Sequence, residues 1–434
     1  MDFDLIIIGS GPAGHTAAME AVKHGLKIAI IEKDRVKIGG VCLNEGCIPL
    51  KGFLHASHTL KDYRSIKKTV LEKVDSIRLG LKTKLEGKGI SLITGTASFV
   101  SSDTVQVVTE TENKKYTAKY FLITVGAVPK RLFDKPNVLN PAKIFTLEAA
   151  PASALIIGGG VIGCEYASFL NNIGVEITIC EIADSLLFGE NEEAVRTLER
   201  EFKKKKIKIL EKTSVVEINS DGKVIFENAQ GTSTGNFAMI FEATGRVPAT
   251  AGLNLEAAGV KTNTKGFIEV SEGMKTSTSN IYAAGDCLTT PQLAYTAAKE
   301  GELAVRHILG EKAPAPDYIN MPKLVFSFPQ LGSVGLSEAQ AVKATDTLKI
   351  YKYFFKAIGK AVVENNEAGF LKLFVDLKKD ELLGAVAVGG ELTDMMNELA
   401  VIIKNKIKIS AVKETMHIHP SYSEIIIEAL TWGA

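Results

Sequence analysis

The 434-residue chain has five cysteines, one tryptophan and almost no net charge, formally +1 from 51 basic and 50 acidic side chains. Near-neutrality removes the broad electrostatic footprint of a nucleic-acid or membrane-surface binder. The densest basic run, Lys203 to Lys206, is short and reads as the solvated face of a helix. No apolar stretch approaches the ~20 residues of a membrane span. The opening MDFDLIIIGSGPAG enters an apolar strand at once, without a basic leader or cleavage site, so the expectation is a cytoplasmic protein. Five scattered cysteines do not make a secreted disulfide framework. Cys164, Cys180 and Cys287 offer no second short-spaced pair, so no zinc site, and no metal, is expected. With 46% apolar and 23% charged residues, what remains is an ordinary globular chain long enough for roughly three domains.

Glycine, by contrast, is abundant and placed with a period. LIIIGSGPAG carries Gly9, Gly11, Pro12 and Gly14, and ALIIGGGVIG carries Gly158, Gly160, Val161, Ile162 and Gly163. Each apolar run leads through G-x-G-x-x-G into a helical pattern and then a second apolar strand ending in an acid. The acids are Glu32 and Glu181, and the intervals 9 to 32 and 158 to 181 are equal. In such a unit the first glycine turns the chain and the second lets backbone approach a pyrophosphate. The third lets helix and strand pack closely, and the acid accepts from a ribose hydroxyl. One fingerprint is weak, because glycine turns often only close a corner. Two complete copies predict two dinucleotide sites, and with them an α/β fold of two Rossmann-like domains. No arginine follows Glu181 before Arg196, which favours NAD over NADP at the second site. Prolines and pattern changes place the first domain at 1–150, the second at 151–271, a return segment at 272–316 and a C-terminal α+β domain at 317–434.

The stretch GGVCLNEGCIPLK puts Cys42 and Cys47 five apart, with Lys51 four further on. Five helical steps separate Cα atoms by roughly 8 Å, beyond the ~7 Å a disulfide tolerates. A bridge therefore requires the backbone near Gly46 and Pro49 to leave ideal helix geometry, which makes it easy to reduce. Two merely buried thiols are the plain alternative. Near the C-terminus, HIHPSYSE sets His419 before a proline and Glu424 five residues on; Ser421 to Glu424 also reads as a helix capping box, S-x-x-E.

These motifs together resemble the flavin-dependent pyridine nucleotide–disulfide oxidoreductases, over nearly the whole chain. The cysteine segment is similar to that family's GGxCxNxGCxPxK. AAGD, ending at Asp286, is similar to its flavin-contacting aspartate, and HIHPSYSE to its C-terminal catalytic motif. The resemblance implies FAD at the first fingerprint, with Lys33, Gly40, Val41, Lys51, Ala97, Thr124, Gly126, Leu293 and Ala294 also contacting it. It implies NAD at the second, with Val215 and Gly245 added. It further implies that Cys42 and Cys47 form a redox-active disulfide, Cys42 exchanging with substrate and Cys47 facing the flavin. Lys51 is expected to pair with Glu165 beside the flavin, although an ordinary salt bridge is the bland reading. His419, oriented by Glu424, is expected to be the base, acting across a homodimer interface built by the C-terminal domain.

Within the family the chain is most similar to the branch that oxidises dihydrolipoyl groups with NAD⁺, which implies a lipoyl-bearing carrier protein or acyltransferase complex as partner. Two alternatives stand beside this: an NAD(P)H-dependent reductase of another disulfide, and a nucleotide-binding scaffold or redox sensor. Leu50, Val125, Ala249 and Tyr295 depart from the family pattern.

Overall fold

A computed structural model describes residues 1–433. The first unit is built on a parallel sheet in the order 91–94, 28–32, 3–8, 118–123 and 281–283. Its central strand Phe3–Ile8 ends in four consecutive buried residues, as a strand covered on both faces must. The strand Asn113–Ile123 runs past the parallel sheet and pairs antiparallel with Thr104–Val108, which pairs with Thr96–Ser101. Helices Pro12–Lys23 and Ala294–Ile308 lie together on one face. Their approach depends on small residues: a Cβ on Gly301 would stand 2.3 Å from the Ala13 carbonyl oxygen.

The second unit repeats the plan with a five-stranded parallel sheet, ordered 208–210, 176–180, 153–157, 239–242 and 138–139. A three-stranded antiparallel flap, residues 214–236, hangs from it. The chain recrosses to the first unit earlier than its sequence pattern suggests. Leu253, Leu255, Ala258, Val260 and Ile268, assigned to the second domain by pattern, pack into the first core. The cause is local: Arg246–Pro248 pairs with Ala127–Pro129, and Phe99 bonds Leu253 and Asn254 through its backbone. These short pairings carry no glycine or apolar signature that would mark the crossing.

The C-terminal unit is a five-stranded antiparallel sheet in the order 323–325, 330–335, 381–389, 370–376 and 348–354. Alternate residues of Phe370–Asp376 divide between two cores. Leu371, Leu373 and Val375 meet the helices Thr393–Lys404 and Glu424–Trp432, while Phe370 and Phe374 enter a core shared with the other two units. In that shared core Phe53 lies edge-on to Phe145 and Phe169, each at 5.2 Å. The helix that follows the cysteine pair is therefore held from three sides. Among the described residues no helix is long and apolar enough to cross a membrane.

Candidate functional site

A continuous cavity of about 1580 Å³ runs between the three units and is lined by both glycine turns. Every position expected to touch a cofactor borders it except Gly14 and Gly163. Those two serve packing: a Cβ there would lie 2.1 and 2.0 Å from the carbonyl oxygens of Gly9 and Gly158. Gly9 and Gly158 have φ of +108° and +104°, and a Cβ on either would meet a neighbouring strand's carbonyl at 2.5 Å. Gly11 and Gly160 differ. Each has a negative φ that any residue adopts, each caps a helix, and a Cβ on either meets no protein atom within 4 Å. Nothing in the chain itself demands glycine at these two positions, whereas a pyrophosphate lying against helices Pro12–Lys23 and Val161–Asn172 does. The cradle fits a dinucleotide twice.

Both acids stand at the ends of their second strands with their carboxylates turned to the glycine loop. Glu32 Oε2 accepts from the Ser10 amide at 3.1 Å and its hydroxyl at 2.6 Å; Glu181 Oε2 accepts from the Gly159 amide at 2.6 Å. These bonds aim each acid at the cavity where a ribose would lie.

The cysteine segment departs from a single helix, as a bridge between the two positions would require. Helix Gly40–Asn44 stops, Gly46 takes φ −138° and ψ −117°, and helix Cys47–Ala56 begins at Cys47 itself. Across this break the two thiols share a hydrogen bond. The Cys42 S–H donates, so the Cys47 thiol is pulled down to about 7; Lys51 helps, against the opposing effect of burial. Cys42, as donor and partly buried, is pushed far up. Cys47, at a helix start and facing the cavity, is thus the thiol of the pair that ionises more readily.

Lys51 Nζ lies 2.6 Å from Glu165, whose side chain is only 2% exposed, and 4.7 Å from the Phe326 ring. The other Glu165 oxygen accepts from the Phe326 amide at 3.1 Å. A residue from each unit meets at this point, which is more than a surface salt bridge. Asp286 also borders the cavity, and burial raises its carboxyl despite Arg246 Nε at 3.9 Å.

Arg246 was not singled out from sequence, though it sits in the ATGRVP segment. Its Nε is buried without a partner, while its Nη2 donates to the Ala127 carbonyl. Ser10, Thr393, Met396 and Asn397 also line the cavity and carry no motif that would find them. Tyr295 lines it too, its hydroxyl donating to the Pro322 carbonyl and pushed up to about 12 by burial.

His419 and Glu424 form a pair but not with the cysteines. His419 Nδ1 lies 2.7 Å from Glu424 Oε1, and Glu424 Oε2 accepts from the Ser421 amide at 2.7 Å. Burial raises the Glu424 carboxyl, but the Ser421 amide and the imidazole outweigh it and hold it below its usual value. Only half of the capping box forms, because Ser421 Oγ has no partner. Glu424 therefore both starts the last helix and orients His419. Neither residue lines the cavity, and the His419 side chain is 78% exposed. His417 is engaged elsewhere, with Glu398 at 2.8 Å.

The whole arrangement has parallels among known proteins. Residues 3–301 match the pyridine nucleotide-disulphide oxidoreductase family, and residues 321–430 match the dimerisation domain of the same family. A dihydrolipoyl dehydrogenase of Chlamydia pneumoniae is 34% identical over 98% of this chain and 96% of its own. One from Geobacillus stearothermophilus is 33% identical over 99% and 96%. Among solved structures, the Cu(II) complex of the HOCl-induced flavoprotein disulfide reductase RclA from Escherichia coli superposes with a TM-score of 0.94 at 28% identity, covering 99% of both chains. Two fingerprints, a dithiol at a helix start and a match spanning nearly all residues agree: the chain belongs to the pyridine nucleotide-disulphide oxidoreductases.

Proposed function

We propose that this chain oxidises dihydrolipoyl groups to lipoyl and reduces NAD⁺ to NADH, with FAD at the first fingerprint and NAD at the second. The observation that carries the reading is the Cys42–Cys47 pair at the cavity wall, with Lys51 beside the lower-pKa thiol. The names of the relatives support the dihydrolipoyl substrate and, with it, a lipoyl-bearing carrier protein or acyltransferase complex as partner. Free thiols at Cys164, Cys180 and Cys287 suit work in the reducing cytoplasm.

In the oxidised form Cys42 and Cys47 share a disulfide. A substrate thiol gives its proton to His419, and the resulting thiolate attacks Cys42 Sγ, forming a mixed disulfide and breaking the Cys42–Cys47 bond. Cys47 leaves as the thiolate that Lys51 and the helix start stabilise. The second substrate thiol attacks its own mixed-disulfide sulfur and closes the cyclic product, its proton passing to Cys42, which leaves as the thiol, while the first proton stays on His419. Glu424 holds the imidazole with Nδ1 toward the carboxylate, so Nε2 handles the proton. The exposed His419 is supplied by the second subunit of a homodimer, which the match to a dimerisation domain supports. Bound FAD would supply the acceptor for the dithiol's two electrons and the hydride for a bound nicotinamide. Glu181 accepts from the ribose 2′-hydroxyl and repels a 2′-phosphate.

Mixing purified protein with dihydrolipoamide and NAD⁺ is expected to give NADH. Cys47→Ser is expected to lower turnover by roughly 10³-fold or more while flavin stays bound. Faster turnover of an unrelated disulfide with NADH, as suits a disulfide reductase, overturns the substrate assignment.

A further inference from the structure

Helix Ala294–Ile308 turns a stripe of small buried residues, Ala297, Gly301 and Ala304, toward the first unit, and Glu300 sits within that stripe with 0% exposure. A carboxyl this deep normally faces a cation. Glu300 faces none. Its Oε2 accepts from the Gly285 amide at 2.7 Å and its Oε1 from the Tyr318 hydroxyl at 2.8 Å. Thr290 Oγ1 lies beside them, buried and without a hydrogen-bond partner. Gly285 has φ +83° and precedes Asp286, which opens onto the cavity. Tyr318 lies on the segment entering the C-terminal unit.

We infer that Glu300 is a positioning residue for the cofactor: it fixes the Gly285–Asp286 turn against the flavin and ties that turn, through Tyr318, to the entry of the C-terminal unit. The inference rests on the flavin reading of the cavity. Two donors reach the carboxylate, one at each oxygen, while a carboxylic acid can turn its proton toward the unpartnered Thr290 Oγ1. Both forms keep the Gly285 bond. The titratable and charged groups around it are Asp286, Tyr318, Cys287 and, beyond Asp286, Arg246. Burial and Asp286 raise the Glu300 carboxyl above its ordinary value, opposed by the nearby Thr290 hydroxyl and its two donors. Its negative charge accordingly appears as pH rises, and it appears beside the flavin's binding turn.

Glu300→Gln keeps the shape but cannot accept from both Gly285 and Tyr318 and never ionises. Tyr318→Phe removes one donor only. In the full-length protein, FAD affinity is expected to fall roughly tenfold in Glu300→Gln, the loss of one buried charge-assisted bond, and by less in Tyr318→Phe. Flavin midpoint potentials of wild type and Glu300→Gln are expected to coincide at low pH and separate as pH rises. The wild type becomes the more negative, because its extra charge disfavours the reduced ring. A purely structural glutamate does not produce that pH-dependent divergence. FAD affinity and potential unchanged across the pH range in both variants overturn the inference and leave the flavin reading intact. A wild-type protein that binds no flavin overturns both. Should Glu300→Gln fail to fold, unchanged FAD affinity in Tyr318→Phe is by itself enough to overturn the link to the C-terminal unit.

Discussion

The two glycine turns start from the same sequence device and end in different environments. In the first, the middle residue is Ser10, whose hydroxyl donates to Glu32 and accepts from the Gly39 amide at 3.0 Å. The acid is thus bonded to the segment that leads into the cysteine pair. In the second, the corresponding residue is Gly159, where a Cβ would lie 2.4 Å from Leu186 Cδ2, and no hydroxyl connects Glu181 to anything further. Next to Glu181, Ile182 is 75% exposed. One turn is locked into the protein's interior bonding and the other is left open at its rim. That is the distinction between a group held through many turnovers and a cosubstrate that must leave after each one.

The sharpest way to break this comparison is to make the same change twice. Gly11→Ala is expected to deplete FAD from the purified protein, and Gly160→Ala to leave FAD content normal and raise KM for NAD⁺. Each effect is expected to be about tenfold or more, the ~1–3 kcal/mol that one methyl forced into a filled contact costs. Bound flavin per subunit and steady-state kinetics read the two outcomes; equal loss of flavin in both variants ends the distinction.

A smaller effect concerns the point where the units meet. Lys51→Met removes the cation that favours ionised Cys47 and leaves Glu165 unpaired, so the Cys47 pKa is expected to rise from about 7. The alkylation rate of the reduced protein then reaches its midpoint at a more alkaline pH. A midpoint that does not move, or moves to lower pH, refutes the role of Lys51.

The smallest is Ser10→Gly, which gives the first turn the second turn's residue. One charge-assisted bond is lost and the Gly39 amide loses its acceptor, a cost of about 1–3 kcal/mol by denaturant titration. KM for NAD⁺ is expected to stay constant.

How much of this was legible beforehand follows from how local each requirement is. Gly9, Gly14, Gly158 and Gly163 are dictated by backbone contacts within one turn, so residue type alone betrays them. A break between Cys42 and Cys47 was legible as what a bridge between them would need, since five helical steps hold the two positions too far apart. Ser10 and Arg246 did not announce themselves, because their partners come from distant strands and loops. The link from Glu165 to the Phe326 amide joins backbone and side chain across 161 residues, and no pattern encodes it. Glu300 left a trace, a single acid inside an otherwise small and apolar helical stripe, which is a signal worth reading. The recrossing near residue 248 was missed because a three-residue strand pair has no period to detect.

The strand Ile281–Ala283 and helix Ala294–Ile308 complete the first sheet and its cover, yet both are encoded after the entire second sheet. During synthesis the ribosome therefore releases a finished middle layer while the amino-terminal one still lacks an edge and a lid. The layer begun first is thus completed last, and until residue 308 emerges the face of Ala13 and Ala17 that this helix covers stays open to solvent.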